Sequence, residues 1–410
     1  MAVAIKGGVL IDGTGSPPAA GRVVVVERDT VKEIIDQKDF SSWVQRYGEV
    51  DEIDAGGCTV LPGLVNCHEH LMMRRNYGGI AAQGSRPVPF QSICAVRSSI
   101  YSLIQGITAC RECGAPASIN IEIKKAIDAG VVPGPRLLTC GEPLVMTGGH
   151  LASLFYVVDS VDEVVKGVRT QLSKGADFIK IYVSNEDLPQ APERNPILEW
   201  FPPECLKAAI DEAHRSGFRV STHVNGAAAI RNCALFGADT IEHAMMLDRE
   251  TARIIKDKGI FLIPTLSTAK QNTSASWKRE AFWTRRYQKF YEPLWESFLL
   301  ALEEGVIVLP GTDSLGDYVE ELELFVKAGI GNMDALVTAT RLGAECLGME
   351  DHMGTLEPGK KADVCIIEGN PLDDISALRN VRAILKDGAV FRPEELRKFM
   401  PPTPYYIEGS

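Results

Sequence analysis

The amino-acid sequence predicts an α/β protein, a (β/α)8 barrel joined to a small β-domain, and two observations lead to this prediction. Strand-like segments alternate with helix-like segments through the middle of the chain, from residue 57 to residue 349. Both chain ends instead consist of short β-rich runs separated by glycines and Asp-Gly turns. Strands that alternate with helices are typical of parallel sheets, whereas closely spaced strands with such turns are typical of antiparallel hairpins.

The two chain ends are expected to fold together. The N-terminal end contains VAIKGGVLIDGTG (3–15) and RVVVVERDTVKEIID (22–36), and the C-terminal end contains ADVCIIEG (362–369) and AILKDGAVF (383–391). Neither end has enough strands to bury an independent core. We therefore predict one composite β-domain from residues 1–56 and 350–410, with residues 57–349 forming the barrel.

Composition limits the functional class. The chain has 410 residues, and its net charge of −11 argues against nucleic acid and anionic membranes as partners. The sequence has no apolar run of 18 residues, and its first residues resemble a strand rather than a signal peptide. Ten scattered cysteines suggest a reducing, cytoplasmic location, and the CxxC pair Cys110 and Cys113 is interpreted as structural rather than as a redox or zinc motif. We expect a small-molecule substrate and a homo-oligomer.

Eight strand-like segments are expected to form the barrel. They are LPGLVN (61–66), ITACREC (107–113), PRLLTCG (135–141), DFIKIYV (177–183), RVSTHV (219–224), TIEHAMM (240–246), FLIPTL (261–266) and VIVLPGTD (306–313). Helix-like segments such as residues 161–175 and 203–217 each end on a glycine, as helices often do. In such a barrel the functional residues lie at the carboxyl ends of the strands.

Polar residues occur at several of these strand ends. His68 and His70 are two apart in an extended segment, so both side chains can face one point in space. His223, His243 and Asp313 lie near the ends of strands five, six and eight. One such histidine alone would be interpreted as a hydrogen-bonded core residue, but the convergence predicts a metal site. Imidazole and oxygen ligands favour zinc, with manganese or cobalt as alternatives.

Lys180 lies between two isoleucines in strand four. An unpaired ammonium buried there would cost several kcal/mol, and it could not bind a cation. Reaction of the amine with carbon dioxide would instead give a carbamate, an anionic ligand with two oxygens that could bridge two metals. The alternative is a lysine that points outward to a helix or pairs with a carboxylate.

The combined pattern resembles the amidohydrolase superfamily. The resemblance rests on His-x-His after strand one, Lys180, the two later histidines and Asp313, together with IDGTG (11–15), VLPGLVNCHEH (60–70) and the stretch MGTLEPGKKADVCIIEGNPLDDI (353–375). It implies that the chain ends form a β-sandwich. GITACREC, MTGGH and TIEHAMMLD are similar to the imidazolonepropionase-related branch, which includes metal-dependent Xaa-Pro dipeptidases and carboxypeptidase-like arginine and lysine dipeptidases.

The resemblance implies a site for two divalent metal ions. His68, His70 and Asp313 would hold one ion, His223 and His243 the other, and carboxylated Lys180 would bridge them. A hydroxide between the metals would be the nucleophile, and Asp313 would act as base and then as acid. His150, at the end of MTGGH, would polarise the scissile carbonyl; the alternative is a histidine on a glycine-rich loop.

Two departures from the family pattern leave the substrate open. Asn225 occupies the position where prolidase-like members have a tyrosine that helps bind the substrate carboxylate. Arg111-Glu112 replaces the usual Arg-Asp and is expected to form a structural pair. We therefore predict that a substrate carboxylate is bound by residues of the loop after strand one, with Arg74, Arg75 and Tyr77 as candidates. A solvated basic loop is the alternative.

An aromatic segment lies between strands seven and eight, within residues 267–304. It contains Trp277, Trp283 and Trp295 among other aromatic residues. Such a segment could line a pocket for a bulky substrate. The interpretation we favour is an extra helix packed on the barrel or on a second subunit.

These observations favour a metal-dependent hydrolase that cleaves an amide bond in a dipeptide or an N-acyl amino acid. The first alternative is hydrolysis of a non-peptide amide, carbamate, cyclic amide or ester with a bulky aromatic group. The second is a non-catalytic barrel that serves as a scaffold, which the complete set of six ligands argues against.

Overall fold

The computed structural model of the protein describes residues 2–73, 86–185, 197–273, 281–314 and 316–400. The strands are β1 Ala2–Lys6, β2 Val9–Leu10, β3 Arg22–Glu27, β4 Thr30–Asp36, β5 Asp51–Asp54, β6 Cys58–Pro62, β7 Leu64–Glu69, β8 Ile107–Glu112, β9 Arg136–Thr139, β10 Leu144–Val145, β11 Tyr156–Val157, β12 Ile179–Tyr182, β13 Ser184–Asn185, β14 Leu198–Glu199, β15 Val220–Val224, β16 Thr240–His243, β17 Phe261–Ile263, β18 Val364–Glu368, β19 Val381–Lys386 and β20 Ala389–Phe391.

The helices lie mainly between the strands of the middle region. They are α1 Phe40–Tyr47, α2 Val88–Ile104, α3 Ile119–Asp128, α4 Val161–Lys174, α5 Pro203–Arg215, α6 Ala227–Phe236, α7 Arg249–Asp257, α8 Leu266–Asn272, α9 Ala281–Glu304, α10 Tyr318–Lys327, α11 Asn332–Thr338, α12 Arg341–Cys346 and α13 Pro393–Leu396. Across the described ranges we find no helix with the length and apolar character needed to span a bilayer.

Two sheets are formed by segments from the chain ends. One has the order β4-β3-β1-β5, and the other has the order β2-β6-β18-β19-β20. Residues from both ends, including Ile5, Val24, Val364 and Leu385, are buried in one apolar cluster. The two chain ends therefore share a hydrophobic core, which neither could form alone.

The predicted first barrel strand is divided at Gly63. Cys58–Pro62 pairs antiparallel with β18, whereas Leu64–Glu69 pairs parallel with β8. A Cβ atom at residue 63 would clash with the Thr108 side chain, so only glycine fits at this crossing. The barrel strand thus begins at Leu64, three residues later than the sequence analysis placed it.

The middle of the chain forms parallel sheets. The order β7-β8-β9 makes one sheet, and β11-β10-β12-β15-β16-β17 makes the other. Asp177 N–H donates to the Thr139 carbonyl at 2.7 Å and so joins strand three to strand four. Parallel bridges from Leu262 to Val308 and from Glu69 to Asp313 connect the eighth strand to strands seven and one. This is a TIM-barrel-like α/β fold, as the alternation of strands and helices predicts.

The eighth strand is irregular. Within residues 306–313, isolated bridges occur at Val308 and Asp313, and separate backbone hydrogen bonds, such as that from the Cys67 N–H to the Pro310 carbonyl, make the other contacts with neighbouring strands. Pro310 cannot donate a hydrogen bond to a sheet, which limits regular pairing here. The predicted helices over residues 161–175 and 203–217 correspond closely to α4 and α5.

All ten cysteines lie within the described residues and are buried as free thiols. Cys110 and Cys113 belong to this set, which agrees with their interpretation as structural residues.

Candidate metal centre

Two imidazoles from strand β7 lie at the carboxyl end of the barrel. His68 and His70 are both buried, and their Nε2 atoms lie 3.4 Å apart. The Asp313 Oδ1 atom, which comes from the end of strand eight, lies 3.8 Å from His70 Nε2. The alternation of side chains in an extended strand therefore brings both histidines to one point, as predicted from their spacing.

His243 joins this group from strand six. The ligand atoms of His68, His243 and Asp313 all lie within 4.8 Å of one another. His243 and Asp313 have φ angles of 70° and 48°, in the left-handed region that residues with side chains rarely adopt. Such strained residues cluster at functional sites, where the surrounding structure enforces them.

The Nδ1 atoms of three histidines are held by neighbouring groups. His68 Nδ1 lies 2.7 Å from Glu242 Oε2, His70 Nδ1 lies 2.8 Å from the Gly114 carbonyl oxygen, and His243 Nδ1 lies 2.7 Å from Thr265 Oγ1. A carboxylate and a carbonyl can only accept, so His68 and His70 donate through Nδ1–H. Their Nε2 lone pairs then face the centre, as in histidine ligands supported by a second hydrogen bond.

Burial keeps the imidazoles of His68 and His70 neutral. It lowers the pKa of each to about 3, and the positive charge of Lys180 acts in the same direction. Neutral imidazole is the form that binds metals. Both side chains are therefore ready to bind a cation throughout the neutral pH range.

Glu242 is fixed by a buried network. It accepts hydrogen bonds from Arg111 Nη2 at 2.6 Å, Thr240 Oγ1 at 2.6 Å and Ser221 Oγ at 2.8 Å. Burial acts to raise the pKa of Glu242, but the Arg111 guanidinium and the other neighbours hold it well below its usual range. The carboxylate is thus ionised and orients His68.

The expected structural pair of Arg111 and Glu112 does not form. Arg111 binds Glu242, whereas Glu112 accepts from the Gly114 N–H and from Asn120 Nδ2. Adjacent residues of a strand face opposite sides, which separates the two side chains.

The contact of Glu242 with the site was not predicted from the sequence. In a regular strand the Glu242 side chain would point to the side opposite to that of its neighbour His243. The positive φ of His243 ends that alternation.

Lys180 is the buried amine of the site. Its side chain is only 1% exposed, and its Nζ atom has no hydrogen-bond partner among the described residues. Nζ lies 5.6 Å from the centroid of the Tyr182 ring, which shares the same face of β12. A buried ammonium without a partner is costly, whereas an anionic derivative next to bound cations would be stabilised. This amine, the imidazoles and Asp313 therefore fit a divalent metal site.

Four further side chains pack beside the cluster. The His223 ring lies 4.5 Å from the His243 ring, and the His150 ring stacks on His223 with a centroid distance of 4.9 Å. The Tyr182 ring packs on the same imidazole at 4.6 Å, and Phe155 packs on Tyr182 at 5.3 Å. The structure thus brings His150 and His223 to the predicted site and adds two aromatic residues that the sequence analysis did not single out.

The loop that contains His150 is held by residues from the region after strand four. Trp200 Nε1 donates to the Thr147 carbonyl at 3.0 Å, and Asn185 Nδ2 donates to the Gly148 carbonyl at 2.8 Å. No sequence motif indicated these contacts, because they join segments about 40 to 50 residues apart.

Of the predicted substrate-binding residues, only Asn225 lies in the described part of the chain. Arg74, Arg75 and Tyr77 lie outside the described residues. Asn225 is buried, and its side-chain oxygen accepts from the Met245 N–H at 2.8 Å. That oxygen therefore supports the backbone after strand six.

The described part of the aromatic segment packs on the barrel. Phe290 is buried in the main core, and Tyr287 and Trp295 pack against that core. The segment forms α9 from residue 281 onward, as expected for an extra helix on the barrel. Trp277 lies outside the described residues, as does the side chain of Trp283.

A comparison with protein-family models matches residues 59–390 to the amidohydrolase family. The match covers most of the chain, and the chain belongs to this family, as the resemblance of its motifs indicated.

The chain is also similar to individual proteins over most of its length. The chain is 26% identical to ochratoxinase from Aspergillus niger, over 95% of this chain and 86% of that protein. It is 24% identical to imidazolonepropionase from Halobacterium salinarum, over 91% of this chain and 92% of the relative. A crystal structure of a Xaa-Pro dipeptidase with methionine bound in its active site superposes with a TM-score of 0.85 and 27% identity, covering 96% of this chain and 100% of the other. Family membership supports an enzyme that hydrolyses amide bonds.

Proposed function

We propose that the protein is a metal-dependent hydrolase with two divalent zinc ions, and that it cleaves an amide bond in a dipeptide or an N-acyl amino acid. The observation that supports this proposal is the convergence of fixed imidazoles and Asp313 beside the buried Lys180 amine, which has no hydrogen-bond partner within the described part of the chain. The similarity to a Xaa-Pro dipeptidase and to ochratoxinase is consistent with amide substrates.

Six side chains would hold the ions. His68, His70 and Asp313 would bind one, while His223 and His243 would bind the other. Because the ligand atoms of His68, His243 and Asp313 already lie within 4.8 Å of one another, the two sets are adjacent. When bound, the ions would act as Lewis acids and lower the pKa of water to about 7.

Lys180 would complete the site as a carbamate. Its neutral amine would add to carbon dioxide, with formation of an N–C bond and release of one proton. The product is an anion with two oxygens in place of a buried cation. This change removes the cost of an unpaired ammonium and supplies a ligand for both ions.

Asp313 and His150 would perform the proton transfer and the carbonyl activation. Asp313 is partly exposed, with 21% of its side chain accessible, and its Oδ1 atom accepts from the Ser314 N–H. It would take a proton from the attacking water and deliver it to the leaving amine. His150 would donate a hydrogen bond to the substrate carbonyl, where negative charge develops.

The overall organisation forms part of the proposal. The shared apolar core of the chain ends supports a composite β-sandwich. The sequence analysis assigned residues 1–56 and 350–410 to it, and the pairing of Cys58–Pro62 with β18 extends the first part to residue 62, so that the barrel would comprise residues 64–349 rather than 57–349. We also propose a cytoplasmic homo-oligomer that acts on a small molecule, with Arg74, Arg75, Tyr77 or Asn225 contacting it.

A second candidate is the hydrolysis of a non-peptide amide or ester with an aromatic group. The rings of Tyr182 and Phe155 beside His150 favour it, since aromatic walls stabilise aromatic ligands.

A substrate panel tests the proposal. The zinc-loaded protein would be assayed on Xaa-Pro and Xaa-Arg dipeptides, on N-acyl amino acids with aliphatic or aromatic acyl groups, and on aryl esters and carbamates. We expect turnover of dipeptides or N-acyl amino acids that disappears on chelation and returns with zinc. Turnover of aryl esters or carbamates alone would favour the second candidate, and the absence of zinc-dependent turnover of every substrate in the panel would contradict both.

A further inference from the structure

The segment that follows strand seven is held in an unusual conformation next to His243. Thr265 has φ and ψ angles of 52° and 44°, and α8 begins at the next residue. A β-branched residue in the left-handed region is a genuine outlier, which persists only where other contacts enforce it. The Thr265 hydroxyl lies 2.7 Å from His243 Nδ1, and both residues are buried.

Glu321 on α10 supplies the contact that fixes this turn. Its two carboxylate oxygens accept from the N–H groups of Leu266 and Ser267, at 2.9 Å and 2.6 Å. The Thr265 side chain makes no cap hydrogen bond to α8, so Glu321 takes over the role that a capping residue normally has. Glu321 is completely buried, which makes the carboxylate costly unless these hydrogen bonds form.

The same turn is linked to the eighth strand. Thr268 Oγ1 donates to the Thr312 carbonyl, one residue before Asp313. On the same helix as Glu321, the Tyr318 hydroxyl donates to the Val65 carbonyl in β7 at 2.6 Å. Helix α10 therefore contacts the backbone on both sides of the site, at strand one and after strand seven.

His243 differs from the other two histidines in the nature of its Nδ1 partner. His68 and His70 face a carboxylate and a carbonyl, which can only accept a hydrogen bond. A hydroxyl both donates and accepts, so chemistry alone does not select the tautomer of His243. The position of the Thr265 hydroxyl must therefore select the tautomer, and that position depends on the turn at residues 265–267.

We propose that Glu321 is a positioning residue that acts through Thr265 on His243. By holding the turn at residues 265–267, it places the Thr265 hydroxyl to accept from His243 Nδ1–H and leaves Nε2 to bind a cation. The inference rests on the proposed function only in assigning His243 as a metal ligand.

The test measures zinc affinity and the tautomer of His243 separately. Zinc affinity is determined by chelator competition for the wild-type protein, Glu321→Gln, Thr265→Val, the double variant and Thr265→Ser. Glu323→Gln, an exposed carboxylate on the same helix that pairs with Arg379, is the matched control. The ring nitrogens of the seven histidines are observed by 15N NMR in metal-free protein, with His243 assigned from a His243→Asn spectrum.

We expect Glu321→Gln and Thr265→Val each to weaken zinc binding by about 10- to 100-fold, the usual effect of losing a partner behind a ligand. The double variant should match the weaker-binding single variant within about twofold, because both act on one contact. Thr265→Ser and Glu323→Gln should bind like wild type. In metal-free protein, wild-type His243 should be protonated on Nδ1, and this preference should be lost in Glu321→Gln and Thr265→Val.

Several results would overturn the proposal. Multiplicative losses in the double variant would mean that Glu321 and Thr265 act independently. An unchanged His243 spectrum in folded Glu321→Gln would show that its role is only structural. If Glu321→Gln does not fold, Glu321→Asp replaces it, and failure of both to fold would assign Glu321 to folding rather than positioning. If the wild-type protein binds no zinc, the proposed function fails, while the NMR comparison still decides the positioning role.

Discussion

The carboxyl end of the barrel and the two sheets from the chain ends are built from strands of similar length but enclose different interiors. Between the end sheets, the described core is formed by aliphatic side chains such as Val24, Val60 and Ile366. The barrel end instead buries Lys180, Arg111 and several histidines and carboxylates. The interior of the first region is stabilised mainly by apolar burial, whereas the second region depends on hydrogen bonds among its buried polar groups.

Backbone conformation differs in the same way. In the barrel, residues with side chains and positive φ include His243, Thr265 and Asp313, all at the candidate site. In the end sheets, Arg28 and Asp387 have positive φ, and both lie in turns between paired strands. Positive φ angles also occur in the barrel at Ala117, Ser118, Leu151, Ala244 and Met246. Two candidate ligands, His243 and Asp313, nevertheless have such strained backbones, which is expected where geometry serves chemistry rather than stability.

The largest expected effect comes from Asp313→Asn. It should lower turnover by about 10³-fold or more and leave most of the metal bound, because proton transfer is lost while the other ligands remain. Steady-state kinetics and metal analysis of the same preparation check this. The control is Asp211→Asn, an exposed residue paired with Lys207. Near-normal turnover of Asp313→Asn would mean that another group transfers the proton.

Lys180→Ala tests the buried amine. It should lose most of its metal and more than about 99% of its activity. Removal of a ligand should cost more than removal of a residue that only hydrogen-bonds to a ligand, which typically costs about 10- to 100-fold. A short carboxylic acid added with bicarbonate should restore part of both. Lys207→Ala, at an exposed lysine, should behave like wild type. Normal activity of Lys180→Ala would exclude a bridging role for this residue.

The negative charge at the C-terminus of the substrate allows a further test at the barrel end. If a cationic residue binds the substrate carboxylate, amidation of the C-terminus should raise the barrier by roughly 2–5 kcal/mol, the usual cost of breaking a buried charge pair. Replacing the responsible residue, Arg74 or Arg75, with glutamine should remove this preference without loss of metal. Equal rates on free and amidated substrates, with a preference for aromatic acyl groups, would contradict the dipeptidase assignment and leave the metal mechanism intact.

The smallest effect is expected where the end sheets meet the barrel. Burial acts to raise the pKa of Asp387, but its hydrogen bond from Arg136 at 2.6 Å and its contact with Lys386 lower it to about 2. The carboxylate therefore stabilises the fold above about pH 4, and this contribution is lost as the pH falls toward 2.

Asp387→Asn should consequently reduce the free energy of unfolding at pH 7 by roughly 1–2 kcal/mol, after allowance for its 30% exposed side chain. The decrease in stability between pH 4 and 2 should become shallower, and turnover at pH 7 should not change. Urea unfolding across this pH range checks the prediction, with exposed Asp373→Asn as the control. An unchanged pH profile would show that Asp387 does not stabilise this junction.

The sequence predicted what depends on local periodicity. Alternation of strands and helices indicated the barrel, and the spacing of His68 and His70 indicated that both face one point. It did not predict the Arg111–Glu242 pair, whose members are 131 residues apart and meet only when the barrel closes. Nor could it show that Gly63 divides a strand-like run, because that requires the position of Thr108 in the neighbouring strand.

The supporting contacts of the histidines were also beyond sequence reasoning. Thr265 and Glu321 are ordinary residues in a turn and in an amphipathic helix, and neither belongs to a ligand motif. Their role depends on a positive φ angle and on two backbone N–H groups at the start of α8. The types and order of the candidate ligands can be recognised in the sequence, whereas the contacts that orient these side chains arise from tertiary packing.

The metal content of the protein tests the central claim most directly. Protein expressed with ample zinc and purified without chelators would be analysed by inductively coupled plasma mass spectrometry. The account predicts about two transition-metal ions per chain, and markedly fewer in Lys180→Ala. A folded wild-type protein that retains no metal under these conditions would contradict the proposed hydrolase and favour a barrel that serves as a scaffold.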